Sequence, residues 1–335
     1  MNRSPEISVV MPVYNGEKYL KEAVESILSQ TYKDFEFIIA YDTSSDKSLD
    51  IIKNYQEKDS RIILSMGKKR GLIKSLNDAL KISNGRYIAR MDADDISLPG
   101  RFEAQVKFMK ANPEIGMCGT WIEVFGDVDN NYVLKYPATD ELLKLRLLFS
   151  VPFAHPSIMI KQKLIAQHGL KYNEKYDTIE DYKFWLDVSK YTKFASIPEV
   201  LINYRYLKTS LSKVASRDHE KRYIASKKVF SEVLERLGMR NTEQENRLHF
   251  IIGLNERIAK ESIDLKFLNQ YLNKLIEANK ITKIFNEKAL ERIAAKKFIV
   301  VVYYKIKKKD FSFLGAVFYK FFLLGVIRMF DNTIS

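Results

Sequence analysis

The chain has one cysteine, Cys118, in 335 residues. A single thiol excludes an intramolecular disulfide and fits a reducing compartment. Its setting, "IGMCGTW", is small and apolar, so Cys118 is expected to be a buried strand residue. Proline and glycine are also sparse, at 8 and 13. With 46% hydrophobic and 29% charged residues, long disordered stretches are excluded. The first apolar run is too short for a signal peptide: Pro12 interrupts it and Tyr14-Asn15-Gly16 opens a polar turn. The chain is therefore expected in the cytoplasm. Acids are in deficit, 42 against 55 Lys and Arg, for a net charge of +13. That balance invites an acidic partner: nucleic acid, a phosphorylated ligand or anionic lipid.

The positive charge is concentrated. Between Glu291 and Phe330 stand nine Lys or Arg and two acids, a net of +7, beside "FIVVVYY" and "FSFLGAVFYKFFLLGVIRMF". Cations interleaved with dense aliphatic and aromatic residues point to an anionic membrane surface and away from nucleic acid. The second run has the length of a span, but Lys320 sits near its middle and Arg328 near its end. A mid-bilayer cation costs roughly 2.5–3.5 kcal/mol. A helix lying in the interface is the expectation, with a helix packed on the rest of the protein as the alternative.

Length predicts about two domains. Over the first 110 residues, strand-like runs alternate with helical spacing. "ISVVMPV" (7–13), "FEFIIAY" (35–41), "RIILS" (61–65) and "RYIARM" (86–91) are compact and apolar, as buried parallel strands are. Leu20, Ala23, Val24, Ile27 and Leu28 mark a first helix, and Leu49, Ile52 and Tyr55 a second, capped by Ser44-Ser45-Asp46. Leu72, Leu76, Ala79 and Leu80 mark a third. This repeat predicts a doubly wound α/β sheet with ligands at the carboxyl ends of its strands. From Met117 to about Tyr206 the pattern becomes mixed: a strand at "MCGTWIEVFG", a turn at "DVDNN", a helix near 139–149 and a strand at "HPSIMI". A helix at 180–190 and a short strand near 193–197 follow. Beyond about Ser216, Lys- and Glu-rich helical segments lead to the basic tail. The expected organisation is a domain over 1–213, with a nucleotide half to about 115 and an acceptor half over 116–213, then a helical extension over 214–335.

Residues 89–101 read "ARMDADDISLPGR". Three carboxylates in four positions repel unless a cation, a donor or water compensates. At the end of a strand, Asp-x-Asp offers hard oxygen ligands to Mg²⁺ or Mn²⁺, which also hold phosphate oxygens. A solvated turn explains the same three residues, so the cluster alone leaves both readings open.

Four separated segments, in order, resemble the family 2 glycosyltransferases of the GT-A fold over roughly residues 6–210. They are "MPVYNGEKYLKEAVESILSQTYKDFEFIIAYDTSSDKSLDII", "RGLIKSLNDALKISNGRYIARMDADDISLPGRFEAQ", "PFAHPSIMI" and "TIEDYKFWLDV". The resemblance implies that Pro12, Val13, Tyr14 and Asn15 border the base and ribose of a nucleotide, with Glu17 close by. It implies that Asp42 accepts a hydrogen bond from uracil. The family carries two acids and a glycine there, whereas this chain has Tyr41-Asp42-Thr43-Ser44. Arg70, Gly71 and Lys74 would lie near the diphosphate. Asp94 and Asp95 would contact metal and ribose, with Asp92 in support. Pro99 and Arg101 match the start of the following helix, where Arg101 could pair with the acids. Asp181 matches the general base, Glu180 shapes the site, and His155 matches a frequent family histidine. Trp185 and Phe184 read first as core.

The resulting expectation is an inverting glycosyltransferase using a UDP-sugar, Mg²⁺ or Mn²⁺, and a lipid-linked glycan acceptor in capsule or O-antigen assembly. It would be peripheral on the inner face of the cell membrane. A nucleotidyltransferase would need a glycine-rich loop after the first strand, where "PVYNGEKYL" has one glycine. A non-catalytic scaffold on the same fold is the remaining alternative, supported by the altered Tyr41-Asp42-Thr43 alone.

Overall fold

A computed structural model describes residues 4–68, 71–210 and 218–329. The chain forms two compact units. One comprises residues up to Leu143 together with Val151–Asp218, the other Lys144–Ser150 together with the chain from His219.

The first unit is built on a nine-stranded sheet, β1 (Ile7–Val13), β2 (Phe35–Tyr41), β3 (Ile62–Met66), β4 (Tyr87–Arg90), β5 (Ile96–Ser97), β6 (Ile115–Gly126), β7 (Tyr132–Leu134), β8 (Met159–Lys161) and β9 (Lys193–Tyr206). The order is β3-β2-β1-β4-β8-β6-β9-β5, with β7 on β6. The four N-terminal strands are parallel. Helices α1 (Glu17–Leu28), α2 (Ser48–Lys58) and α3 (Leu72–Ile82) connect them, and α4 (Arg101–Ala111), α5 (Asp140–Leu147, divided between the units after Leu143), α6 (Gln162–His168) and α7 (Glu180–Val188) follow. Strand β1 is buried along both faces except at Pro12. Alternation would leave one face wet, so a nearly continuous apolar run is what a strand covered on both sides requires, with Ser8 the one polar side chain buried in β1. Leu20, Ala23, Val24 and Ile27 are the buried stripe of α1. Cys118 is buried on β6, and burial pushes its thiol up to about 12.

Register decides where the site lies. Val13 is level with Tyr41, and Val10 with Arg90. The chain therefore leaves β1, β2 and β4 along one edge of the sheet, carrying Tyr14, Asp42 and Asp92 with it. Side chains sew the first two exits together. The Asn15 amide donates to Ser44 Oγ at 3.0 Å, Asn15 Oδ1 accepts from the Ser45 amide at 2.9 Å, and Asp46 Oδ2 accepts from the Glu17 amide at 2.9 Å.

Strands β5 and β7 are unexpected, and three of the expected elements take another form. "HPSIMI" is a 3₁₀ turn over His155–Ser157 followed by β8. Pro156 has no N–H to give a ladder, so pairing begins only at Met159. Strand β9 runs on to Tyr206 because it pairs along nearly the whole of β6. The tail run "FSFLGAVFYKFFLLGVIRMF" is two pieces rather than one helix, a 3₁₀ segment over Phe311–Phe318 and a helix from Lys320.

The second unit is helical: α8 (His219–Arg236), α9 (Glu243–Gly253), α10 (Asn255–Lys260), α11 (Leu265–Thr282), α12 (Glu287–Lys307) and α13 (Lys320–Met329). Three of its helix starts are side-chain capped: Thr242 and Glu245 form a reciprocal box, Asp264 accepts from the Phe267 amide, and Asn286 accepts from the Ala289 amide. Its core includes Leu268, Tyr271, Leu272, Leu275, Leu290, Ala294 and Phe298. Buried His249 accepts from the Tyr271 hydroxyl at 2.6 Å and donates to the Leu148 carbonyl at 2.7 Å. Helix α13 packs on α12 through buried Phe321 against Phe298, and a Cβ on Gly325 would lie 2.1 Å from Ile299. Lys320, the charge in the middle of the tail run, is paired with Glu291 at 2.8 Å. No helix among the described residues is long and apolar enough to cross a membrane.

Candidate active site

Strand β4 ends on Arg90, and Asp92, Asp94 and Asp95 follow at the carboxyl edge. One carboxylate oxygen from each of the three lies within 4.8 Å of the others. Arg90 is fully buried beneath them and ion-paired with Asp92. A guanidinium inside a sheet is tolerated only with a partner, and Asp92 is that partner. Asp95 is 1% exposed. Its Oδ1 accepts from the Arg205 amide at 2.7 Å, while its Oδ2 is buried with no hydrogen-bond partner among the described residues. Burial and then the charge of Asp92 push Asp94 up to about 6. Burial, Asp92 and Asp94 together raise Asp95 well above the ordinary carboxylate range.

The donor chemistry here fits a hard divalent cation. Three carboxylates converge, and a buried acceptor lacks a donor. Oxygen ligands at this density suit Mg²⁺ or Mn²⁺, and a cation among them would relieve both the repulsion and the orphaned Oδ2.

Arg205, at the far end of β9, fastens this loop. Its Nε donates to the Asp94 carbonyl at 2.8 Å, its guanidinium pairs with Glu22, and the group lies 4.3 Å from the Tyr19 ring centre and 4.4 Å from that of Phe125. The Tyr204 phenol beside it is raised by burial and then by Asp95, Asp92 and Asp94. Neither Arg205 nor Tyr204 carries a local signal in the sequence. Arg90 does, as a lone charge inside an apolar strand.

Asp42 is also buried, with Oδ1 accepting from the Thr43 amide at 2.9 Å and Oδ2 from the Gly71 amide at 2.8 Å. Gly71 has φ +78, a conformation side chains disfavour, so Asp42 fixes the start of α3. Tyr41, where the family carries an acid, is buried and its hydroxyl accepts from the Ser44 amide at 3.0 Å. The substitution braces the turn and leaves Asp42 in place. Val13 is buried and Pro12 half-buried, Tyr14 stands out in solvent, and Glu17 Oε2 accepts from the Lys47 amide at 3.1 Å. Lys74, on α3, is paired at 3.6 Å with Glu174. Arg70 lies outside the described residues.

Helix α7 opens with Glu180 and Asp181, whose charges favour a helix N-terminus. Asp181 is half-buried, and its Oδ1 accepts from the Tyr182 amide at 2.7 Å. Burial and then Asp181 push the neighbouring Glu180 up to about 7. The buried Tyr172 hydroxyl feels the charges of both acidic groups. It is raised by burial, opposed by Arg90, and raised further by Glu180, Asp181 and Asp92. The same hydroxyl bonds His155 Nε2 at 2.8 Å, which makes His155 a buried, hydrogen-bonded residue. Trp185 is fully buried against His155, and Phe184 stacks on Tyr172, so both belong to the core. Arg101 is buried too. It donates to the carbonyls of Arg90 and Ile158 at 2.9 and 3.2 Å, contacts that serve the fold, instead of pairing with an acid.

The same architecture occurs in S. aureus TarS 1–349 in complex with UDP-GlcNAc, which superposes with a TM-score of 0.59 at 17% identity over 91% of this chain and 92% of that one. The shared fold is that of the GT-A class. Residues 8–169 match the description "Glycosyl transferase family 2". An uncharacterized glycosyltransferase of Methanocaldococcus jannaschii is 38% identical over 253 residues, 73% of this chain and 82% of that one. The O-antigen biosynthesis glycosyltransferase WbnJ of Escherichia coli is 35% identical over 64% of this chain and 85% of its own. The E. coli UDP-Glc:alpha-D-GlcNAc-diphosphoundecaprenol beta-1,3-glucosyltransferase WfgD is 30% identical over 62% and 79%. This chain belongs to glycosyl transferase family 2, and it is a glycosyltransferase.

Proposed function

We propose that the chain transfers a sugar, with inversion, from a UDP-sugar to a hydroxyl of a lipid-linked glycan during surface-polysaccharide assembly. The convergence of Asp92, Asp94 and Asp95, with a buried Asp95 oxygen that has no hydrogen-bond partner among the described residues, carries this reading. In it, Pro12, Val13 and Tyr14 border base and ribose with Glu17 nearby, Asp42 accepts from the uracil ring, and Lys74 lies toward the diphosphate. Asp92, Asp94 and Asp95 hold Mg²⁺ or Mn²⁺, which when bound stabilises negative charge on the departing diphosphate. Asp181 takes the proton of the acceptor hydroxyl as its oxygen bonds to the anomeric carbon. The bond from that carbon to the diphosphate oxygen breaks on the opposite face, and UDP leaves. The names of WfgD and WbnJ support the UDP-sugar, the lipid-linked acceptor and the surface polysaccharide. The basic apolar tail supports work as a peripheral protein at the inner, anionic membrane surface, and no role with nucleic acid.

Calorimetric titration of UDP, GDP, dTDP and CDP, with Mn²⁺ and with EDTA, tests the donor site. UDP is expected to bind tightly with metal and weakly without it. Absence of binding by every nucleotide would overturn the reading. Asp181→Asn is expected to retain UDP binding and lose transfer by about 10²–10⁴-fold, and full activity in that variant would remove Asp181 as the base.

A further inference from the structure

The turn joining α12 to the 3₁₀ segment presents large apolar side chains to solvent. Phe311 is 70% exposed, Leu314 64%, Tyr303 56% and Ile306 51%. Tyr303 and Ile306 are three apart on a helix and share a face. Phe311 and Leu314 are three apart in a 3₁₀ segment and eclipse one another. Lys307, Lys308 and Lys309 lie between the two pairs, all exposed. The turn is braced rather than loose. Buried Lys305 donates to Asp310 Oδ2 at 2.6 Å and to Ser312 Oγ at 2.9 Å, and Asp310 Oδ1 accepts from the Ser312 amide at 3.0 Å. The acid within the turn is thus tied to the cation beneath it, and the three outer lysines give the surface its sign. By contrast, α13 turns Phe321 and Gly325 onto α12, so the most apolar part of the sequence is partly consumed by packing.

We infer that this turn, and not the length of the tail, seats the chain on an anionic lipid bilayer. Tyr303, Ile306, Phe311 and Leu314 enter the headgroup boundary, and Lys307 and Lys309 meet lipid phosphates around them. Charge complementarity selects this occupant: four apolar side chains ringed by lysines fit a surface that is apolar below and anionic above. The inference deepens the proposed placement at a membrane and rests on that reading.

The test is sedimentation of the full chain with vesicles of phosphatidylcholine alone or mixed with phosphatidylglycerol. The chain is expected to partition onto mixed vesicles and weakly onto phosphatidylcholine. Lys307→Ala and Lys309→Ala should each weaken partition about fivefold, and Phe311→Ser with Leu314→Ser at least tenfold, with melting temperature unchanged. In Phe311→Trp the tryptophan emission should shift to the blue on mixed vesicles. No partition by the wild-type chain, or undiminished partition by the double serine variant, overturns the inference. So does a dimer that the serine variant dissolves, or duplex DNA binding as tight as vesicle binding. UDP titrated into the same preparation separates failures: nucleotide binding without vesicle binding sinks this inference alone, and vesicle binding without nucleotide binding sinks the donor site.

Discussion

Asp95→Asn changes one atom of the acidic cluster and should move stability in opposite directions with and without metal. With ligand oxygens of the three acids within 4.8 Å, a pair of unit charges repels by about 3.5 kcal/mol at an effective dielectric of about 20. Arg90 and proton uptake by the raised carboxyls offset much of that. A net gain of about 1–2 kcal/mol on neutralising Asp95 is therefore expected in EDTA. Asn keeps an oxygen for the Arg205 amide, and its NH₂ takes the place of Oδ2, which has no hydrogen-bond partner among the described residues. With Mn²⁺ at about a hundred times its dissociation constant, the wild-type chain should gain about 2.7 kcal/mol. At roughly 2–4 °C per kcal/mol, its melting point should rise by about 5–10 °C, and that of the variant by far less. Differential scanning calorimetry at neutral pH in EDTA and then in Mn²⁺ reads both changes. A variant less stable than wild type in EDTA that still shows the full Mn²⁺ shift would refute the metal assignment.

His249 is buried with its pKa lowered to about 4, by burial first. Its unfolded form takes up a proton near pH 6.5, its folded form only near 4, so stability is lost as pH falls through that window, by about 3 kcal/mol in total. Denaturant melts of wild type and His249→Gln across the window should show a flatter pH dependence for the variant. At Gly85, an added Cβ would lie 2.4 Å from the Ser8 amide nitrogen and 2.6 Å from the Ile7 carbonyl carbon. Gly85→Ala should therefore cost about 3 kcal/mol, whereas Gly100→Ala, with nothing within 4 Å, should change the melting point little. Cys118 should react with a thiol reagent only at the rate of unfolding, and rapid labelling of the native chain would contradict its burial.

How much of this was legible in the chain depends on the range of the interaction that decides each element. Strands β1, β2 and β4 could be read almost residue by residue, because a parallel strand covered on both faces is apolar along most of its length. Their ends then give the edge on which Asp42 and Asp92 emerge. Strands β5 and β7 span two and three residues and have no periodicity of their own to read. The extension of β9 through "EVLINYRY" is set by β6, its partner, which begins at Ile115. Arg205 bonds to Asp95 across 110 positions, and no window of sequence contains both. The tail was legible only in part: its apolar run and its charges were both visible, but only the packing of Phe321 and the pairing of Lys320 with Glu291 reveal which of them face inward. Arg90 is the instructive intermediate case. A cation inside an apolar strand is expensive enough that it had to have an anion beside it, and Asp92, two residues on, was the nearest candidate. One misplaced charge thus points to the whole acidic site: once Arg90 engages Asp92, the added charges of Asp94 and Asp95 call for a further cation.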